Sequence, residues 1–121
     1  MGRSPGLSRR TDFRHVVRAG RRGRRGGLTV FIAQQPAARD NGAMSEVTST
    51  RLGLGVRAPG RAVARNRVKR RLRAAFDEYA PAPGFDVLVT TDDSVLSMAY
   101  ERLAEDLAGA LGSAGLESVR R

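Results

Sequence analysis

The residues most able to do chemistry form a dense basic segment between Arg57 and Arg73. This segment contains eight Lys and Arg residues and no acidic residue. Apolar residues recur with the spacing of an amphipathic helix, at Val68, Leu72, Ala75 and Phe76. At about 100° per residue, the opposite arc carries Asn66, Arg67, Lys69, Arg70 and Arg73. The pattern predicts a helix that docks on a core with one face and concentrates positive charge on the other.

A face of this kind is suited to a nucleic acid. Each Lys or Arg placed at a phosphate releases condensed counterions, which favours binding and makes it depend on salt. Asn66 adds a neutral donor and acceptor that could read a base edge or a ribose hydroxyl. The charge alone leaves both DNA and RNA open as the partner.

Side chains for catalysis are scarce. The chain has no cysteine, and its one histidine, His15, has no companion residues in an arrangement typical of catalysis or metal binding. It also lacks a Gly-Lys-Ser/Thr phosphate loop. Asp92 and Asp93 could ligate Mg²⁺, but adjacent carboxylates before a helix are more often turn and cap residues. We therefore expect no catalytic residue and no metal site on the protein itself.

Composition favours a single cytoplasmic domain. The chain has 121 residues and a net charge of +10, so we expect one domain, 1–121, with a polyanionic partner. Residues 1–25 hold nine Arg and one Asp, whereas residues 77–121 hold nine acidic residues and three Arg. The sequence shows neither a membrane-spanning run nor a signal peptide, so no membrane partner is expected. Residues 1–8 are predicted to be a mobile basic arm and 113–121 a frayed tail.

The first half of the chain reads as a helix followed by strands. Thr11 is a candidate N-cap and Gly20 a stop for a short helix carrying Phe13. Residues 21–27 read as a basic, glycine-rich turn that either moulds to a phosphate backbone or stays a solvated loop. Residues 28–34 and 47–56 are rich in strand formers, and an antiparallel hairpin between them is the economical arrangement.

The second half alternates helix, strand and helix. The basic helix is expected to run to about Tyr79, and Phe85 to Thr91 reads as a strand covered on both sides. Because a crossover helix precedes this strand, we expect it to lie parallel to an earlier one. Ser97 is the expected cap of a final helix. Together these elements predict an α+β sandwich with helices against one sheet.

The segment from Arg65 to Arg73 closely resembles the Arg-Asn-Arg signature helix of the bacterial ribonuclease P protein component. It reads Arg-Asn-Arg-Val-Lys-Arg-Arg-Leu-Arg and is followed by Ala-Ala-Phe. Asp12-Phe13, the strand from Arg51 to Leu54, Gly60 ahead of the signature, and Leu96-Ser97 opening the last helix also agree with this family. The resemblance covers roughly residues 7–116.

The resemblance implies a fold and a function. Such proteins are non-catalytic subunits of a ribozyme that removes the 5′ leader of precursor tRNA, and the RNA subunit with its Mg²⁺ ions performs the hydrolysis. The implied partners are the catalytic RNA and the leader, with no obligate protein partner evident and Mg²⁺ held mainly by RNA. The implied fold is a single α-β sandwich in the order α-β-β-β-α-β-α (ribosomal protein S5 domain 2-like). It has a mixed sheet and a left-handed β-α-β crossover through the basic helix.

The resemblance also assigns RNA-binding residues by position. On the basic helix these would be Arg65, Asn66, Arg67, Lys69, Arg70 and Arg73. Phe13 and Phe31 would line a leader cleft between the sheet and the first helix, with Arg9 and Arg10 beside it. We expect the crossover to place the basic helix against the sheet, beside these two phenylalanines.

The chain departs from the family pattern ahead of the signature helix. It has Arg57-Ala58-Pro59 where Ser-Lys-Lys is common, and Arg61 where Asn is usual. Arg57 and Arg61 are expected to supply replacement charge. Two other classes of function stay open: a ribosomal or other structural RNA-binding protein of similar fold, and a nuclease that uses Asp92 and Asp93.

Overall fold

The computed structural model describes residues 10–35 and 50–116. The elements, in chain order, are α1 (Arg10–Ala19), β1 (Arg21–Arg25), β2 (Leu28–Gln34), β3 (Arg51–Val56), α2 (Ala62–Tyr79), β4 (Phe85–Thr91), a 3₁₀ helix (Asp93–Ser97) and α3 (Tyr100–Ser113). This arrangement confirms the predicted α+β class, the mixed sheet and the order of helices and strands. The predicted arm at 1–8, Arg9, positions 47–49 and the end of the tail at 117–121 lie outside the described residues.

The sheet has four strands in the order β1-β2-β4-β3. Strand β2 pairs antiparallel with both β1 and β4, and β3 pairs parallel with β4, with Leu52 opposite Val87. The expected parallel pairing of the strand after the basic helix is therefore confirmed. The expected hairpin between β2 and β3 is wrong, because β4 lies between them. Strand β4 takes this central place because Val87, Leu88 and Val89 are all buried and need cover on both faces.

Strand β1 corrects a second prediction, since residues 21–25 form an edge strand and not a turn. Gly26 and Gly27 make the two-residue connection to β2, and Gly26 has a φ of +59° that glycine adopts without strain. Gly23 lies directly on α3, where an added β-carbon would strike the Ala110 carbonyl oxygen and lie 2.8 Å from the Ala114 nitrogen. The missing side chain lets the strand approach the helix closely.

The helices pack on opposite faces of the sheet. Val68, Leu72 and Phe76 of α2 belong to the main core, together with apolar residues of α3 and the inward residues of β2, β3 and β4. On the other face, Val16 of α1 packs with Ala33, Leu88 and the partly buried Phe31. The expectation that the basic helix lies beside Phe31 is therefore wrong. Successive residues of a strand point to opposite faces, and Phe31 points to the α1 side.

The C-terminal part contains two further corrections. Ser97 is the last residue of the 3₁₀ helix, and Ala99 is the residue ahead of α3. This extra turn buries Val95 and Leu96 before the final helix begins. The predicted tail begins too early, because Ala114 and Leu116 are buried and the Leu116 N–H donates to the Leu111 carbonyl at 3.0 Å.

Candidate nucleic-acid interface

The rotation of α2 about its axis is fixed by its apolar stripe. Val68, Leu72, Ala75 and Phe76 are all buried, as their spacing predicts. Burying each large side chain is worth about 1.5–3 kcal/mol, so the helix cannot turn without losing this contact. The opposite face of α2 must therefore point away from the core.

That outward face carries the predicted binding residues. Asn66, Arg67 and Arg70 are exposed, while Lys69 and Arg73 are partly buried. Arg73 also interacts with another part of the protein. The structure thus brings the arc predicted from the sequence onto one surface, which we call the α2 surface: Asn66, Arg67, Lys69, Arg70 and Arg73.

Arg65 has a structural role at the edge of this surface. Its Nη1 donates to the Ala58 carbonyl at 2.9 Å, across the turn that leads into α2. The same carbonyl accepts the Arg61 N–H at 3.2 Å, and Gly60 has a φ of +74°. Proline followed by glycine at the centre of such a turn is the type II signature. The Arg57-to-Arg61 departure from the family pattern is therefore a defined turn, and Arg65 helps to hold it.

The turn presents charge and one apolar side chain to solvent. Arg57 and Arg61 are both exposed, and so is Val63 in the first turn of α2, at 82%. A single exposed apolar residue is not by itself evidence of a site, but Val63 lies beside Arg61 and Arg67 and was not among the predicted site residues. The sequence signal for Val63 is its position on the polar arc of the helix.

The α1 face of the sheet forms a second surface. Cross-strand neighbours point to the same face, and the register aligns Arg24, Thr29, Thr90 and Gly55 in one row across β1, β2, β4 and β3. This row lies in a depression of about 550 Å³ that Arg57 also lines. We call this depression the sheet groove. Phe31 lies in the next row along β2, so the proposed aromatic wall and the basic groove share one face.

Other predicted cleft residues are placed only in part. Arg10 and Phe13 belong to α1, and the structure describes their backbone but not their side chains. His15 lies on α1 with its ring nitrogen 3.3 Å from the Gln34 carbonyl oxygen. On the α1 face of the sheet, Arg51 of β3 and Asp86 of β4 form a two-bond ion pair of 2.8 and 2.7 Å. In this pair the guanidinium of Arg51 neutralises the buried carboxylate of Asp86, so Arg51 is held by a contact within the protein.

Asp92 caps the 3₁₀ helix, and Asp93 is the first residue of that helix. Asp92 Oδ1 accepts hydrogen bonds from the hydroxyl and the backbone N–H of Ser94, the latter at 2.9 Å. These bonds hold the pKa of Asp92 below its usual value of 3.8. Within residues 10–35 and 50–116, no group of three or more His, Cys, Asp or Glu residues could hold a metal ion.

Comparison with known proteins matches this architecture to one family. The ribonuclease P family model matches residues 1–115. The chain belongs to the ribonuclease P protein family. It is similar to the ribonuclease P protein component of Salinispora tropica, with 35% identity over 95% of this chain and 93% of that protein. It is 40% identical to the ribonuclease P protein component of Streptomyces bikiniensis, with 87% of each chain covered.

The fold agrees with a solved ribonuclease P protein. The RNase P protein of Staphylococcus aureus superposes with a TM-score of 0.75, covering 93% of this chain and 96% of that chain at 21% identity. As a ribonuclease P protein component, the chain is the protein subunit of a tRNA-processing endoribonuclease and associates with the RNA subunit of that enzyme. No described helix is long and apolar enough to cross a membrane.

Proposed function

We propose that the protein binds the catalytic RNA with the α2 surface and the 5′ leader of precursor tRNA with the α1 face of the sheet. The main support is the packing of α2, whose four buried residues fix Arg67 and Arg70 on the outside. No acidic residue interrupts this helix before Asp77. The face is therefore a continuous cationic surface for phosphates.

The leader is assigned to the other face because that face combines features of single-strand binding. Proteins that hold single-stranded nucleic acid pair a positively charged groove with aromatic side chains on which bases stack. Here the sheet groove offers Arg24 and Arg57, and Phe31 stands beside it on the same face. Phe13, Arg9 and Arg10 would extend this cleft from the side of α1.

The protein is proposed to be the non-catalytic subunit, with the hydrolysis performed by RNA and Mg²⁺. Among the described residues there is no group of three or more His, Cys, Asp or Glu side chains that could hold a metal ion, and Asp92 Oδ1 accepts hydrogen bonds from Ser94. We assign the Mg²⁺ ions mainly to the RNA subunit, as the resemblance to the family implies. The task of the protein's cations is to hold two RNA strands whose phosphates would otherwise repel each other.

A reconstitution assay tests this proposal. Adding the protein to the cognate catalytic RNA should lower the Mg²⁺ concentration needed to cleave precursor tRNA, because protein cations replace part of the ionic screening. An unchanged Mg²⁺ requirement would contradict the proposal. Cleavage by the protein without RNA, lost in the Asp92→Asn/Asp93→Asn variant, would favour a nuclease. Tighter binding to ribosomal RNA fragments than to the catalytic RNA would favour a structural RNA-binding protein.

A further inference from the structure

Strand β1 separates its four arginines into two pairs with different surroundings. Arg21 and Arg25 point toward α3, on either side of Gly23, and Arg22 and Arg24 point to the α1 face. The sequence pattern Arg-Arg-Gly-Arg-Arg does not show this division, because all four side chains are the same.

The first pair is committed to the protein. Arg25 Nε lies 3.3 Å from Oδ1 of Asp106, a carboxylate that is 1% exposed. The guanidinium of Arg21 passes over Gly115, where an added β-carbon would be 2.8 Å from Nη1. Arg25 thus attaches the edge strand to α3, and Arg21 lies against the turn that follows α3, although both side chains are exposed.

The second pair faces the surface assigned to the leader. Arg22 is opposite Phe31 in the β1–β2 register, and Arg24 is opposite Thr29. Both arginines are exposed. Arg24 lines the sheet groove, while the committed Arg25, one residue further along the strand, does not.

We infer that Arg22 and Arg24 bind phosphates of the leader and extend the leader site across the sheet to its β1 edge. This inference rests on the proposed function of the α1 face. Residues two apart on a strand are separated by about 6.8 Å, close to the spacing of neighbouring phosphates along a stretched single strand. Phe31 stands next to Arg22 as a stacking platform for the base that those phosphates carry.

The Asp92 carboxylate indicates which way the leader runs from Arg24. This carboxylate lies at the end of the sheet groove, near Arg24. A negative charge there repels phosphates, so the strand should run from Arg24 toward Arg22 and Phe31 and away from Asp92. The leader then crosses beside α1 and does not leave over the 3₁₀ helix.

The test compares two double variants with the same loss of charge on opposite faces of one strand. These are Arg22→Gln/Arg24→Gln and, as the control, Arg21→Gln/Arg25→Gln. The reconstituted enzyme is given precursor tRNA with a long leader and the same tRNA with the leader removed, and the ratio of the two affinities is measured. The loss of two exposed arginine–phosphate ion pairs should lower the affinity about fivefold.

The first double variant should lower the affinity ratio about fivefold and keep the thermal stability of wild type. The control should keep the ratio and lower the unfolding temperature. An unchanged ratio in the first variant, or an equal fall in both, would overturn the inference. If the control unfolds, Arg24→Gln against Arg25→Gln repeats the comparison. A wild-type enzyme with no preference for the leader would instead contradict the proposed function.

Discussion

Charge removal from the α2 surface should change the salt dependence of RNA binding by a calculable amount. Arg67 and Arg70 are the residues to change, because both are exposed on the face opposite the buried stripe. Each phosphate contact contributes about 0.7 to the log-log salt slope on a single strand and about 0.9 on a duplex. The Arg67→Gln/Arg70→Gln variant should therefore have a slope lower by about 1.4–1.8.

This slope change predicts a measurable difference in affinity for the catalytic RNA. Raising the salt from about 50 to 200 mM is a fourfold change, so wild type should lose about 7- to 12-fold more affinity than the double variant. Equilibrium binding to labelled catalytic RNA over that range measures both slopes. Surface substitutions of this kind change stability by less than about 0.5 kcal/mol, so thermal unfolding should be nearly the same.

Arg71→Gln is the matched control on the same helix. Arg71 is partly buried, and its Nη1 donates to the Met98 carbonyl at 3.3 Å, which ties α2 to the segment ahead of α3. Losing that bond should cost about 1 kcal/mol and lower the unfolding temperature while leaving the salt slope close to wild type. Equal slopes for wild type and Arg67→Gln/Arg70→Gln would refute the assignment of the α2 surface to RNA.

Two further predictions concern packing and ionisation. Gly23→Val should destabilise the fold by about 3 kcal/mol or more, because the new side chain would collide with the backbone of α3. Gly112→Ala, where the added carbon meets nothing within 4 Å, should be neutral or stabilising; thermal unfolding of both variants checks this, and equal stability would contradict the close packing of β1. The hydrogen bond from Tyr100 to Glu78, 2.8 Å long, raises the pKa of Tyr100 above 10.0. Its stabilisation is present below pH 10.0 and is lost as the pH rises through the folded-state pKa. Ultraviolet titration should show a lower pKa in Glu78→Ala, and an unchanged value would exclude this cause.

The local structure of α2 could be predicted from the sequence because its signal is local. Val68, Leu72 and Phe76 repeat at helical spacing, and that spacing alone decides which side chains are exposed. The position of β4 between β2 and β3 could not be predicted in the same way. It depends on contacts between residues distant in the chain, such as Phe31 with Leu88, and no local pattern encodes strand order.

Strand β1 shows how a strong charge signal can hide a structural one. Residues 21–25 have no apolar residue, so no alternation of hydrophobicity identifies a strand. The usable signals were Gly26-Gly27, a two-residue hairpin connection directly before the β-rich segment, and Gly23 in the centre of the arginines. Because Gly23 has no side chain, β1 can pack closely against α3.

The distribution of charge around the sheet limits how the protein can lie against RNA. The exposed side of α3 carries charges of both signs, with Glu101 and Glu105 on either side of Arg102. The α2 surface and the α1 face both carry exposed arginines, and they lie on opposite sides of the sheet. One continuous RNA helix resting on a single face cannot reach both. We therefore expect the protein to bind between two RNA segments. Adjacent residues of β4 pack on different sides, Val87 on the α2 side and Leu88 on the α1 side. A substitution in the core therefore disturbs both surfaces. Substitutions of exposed arginines, in contrast, test each surface separately.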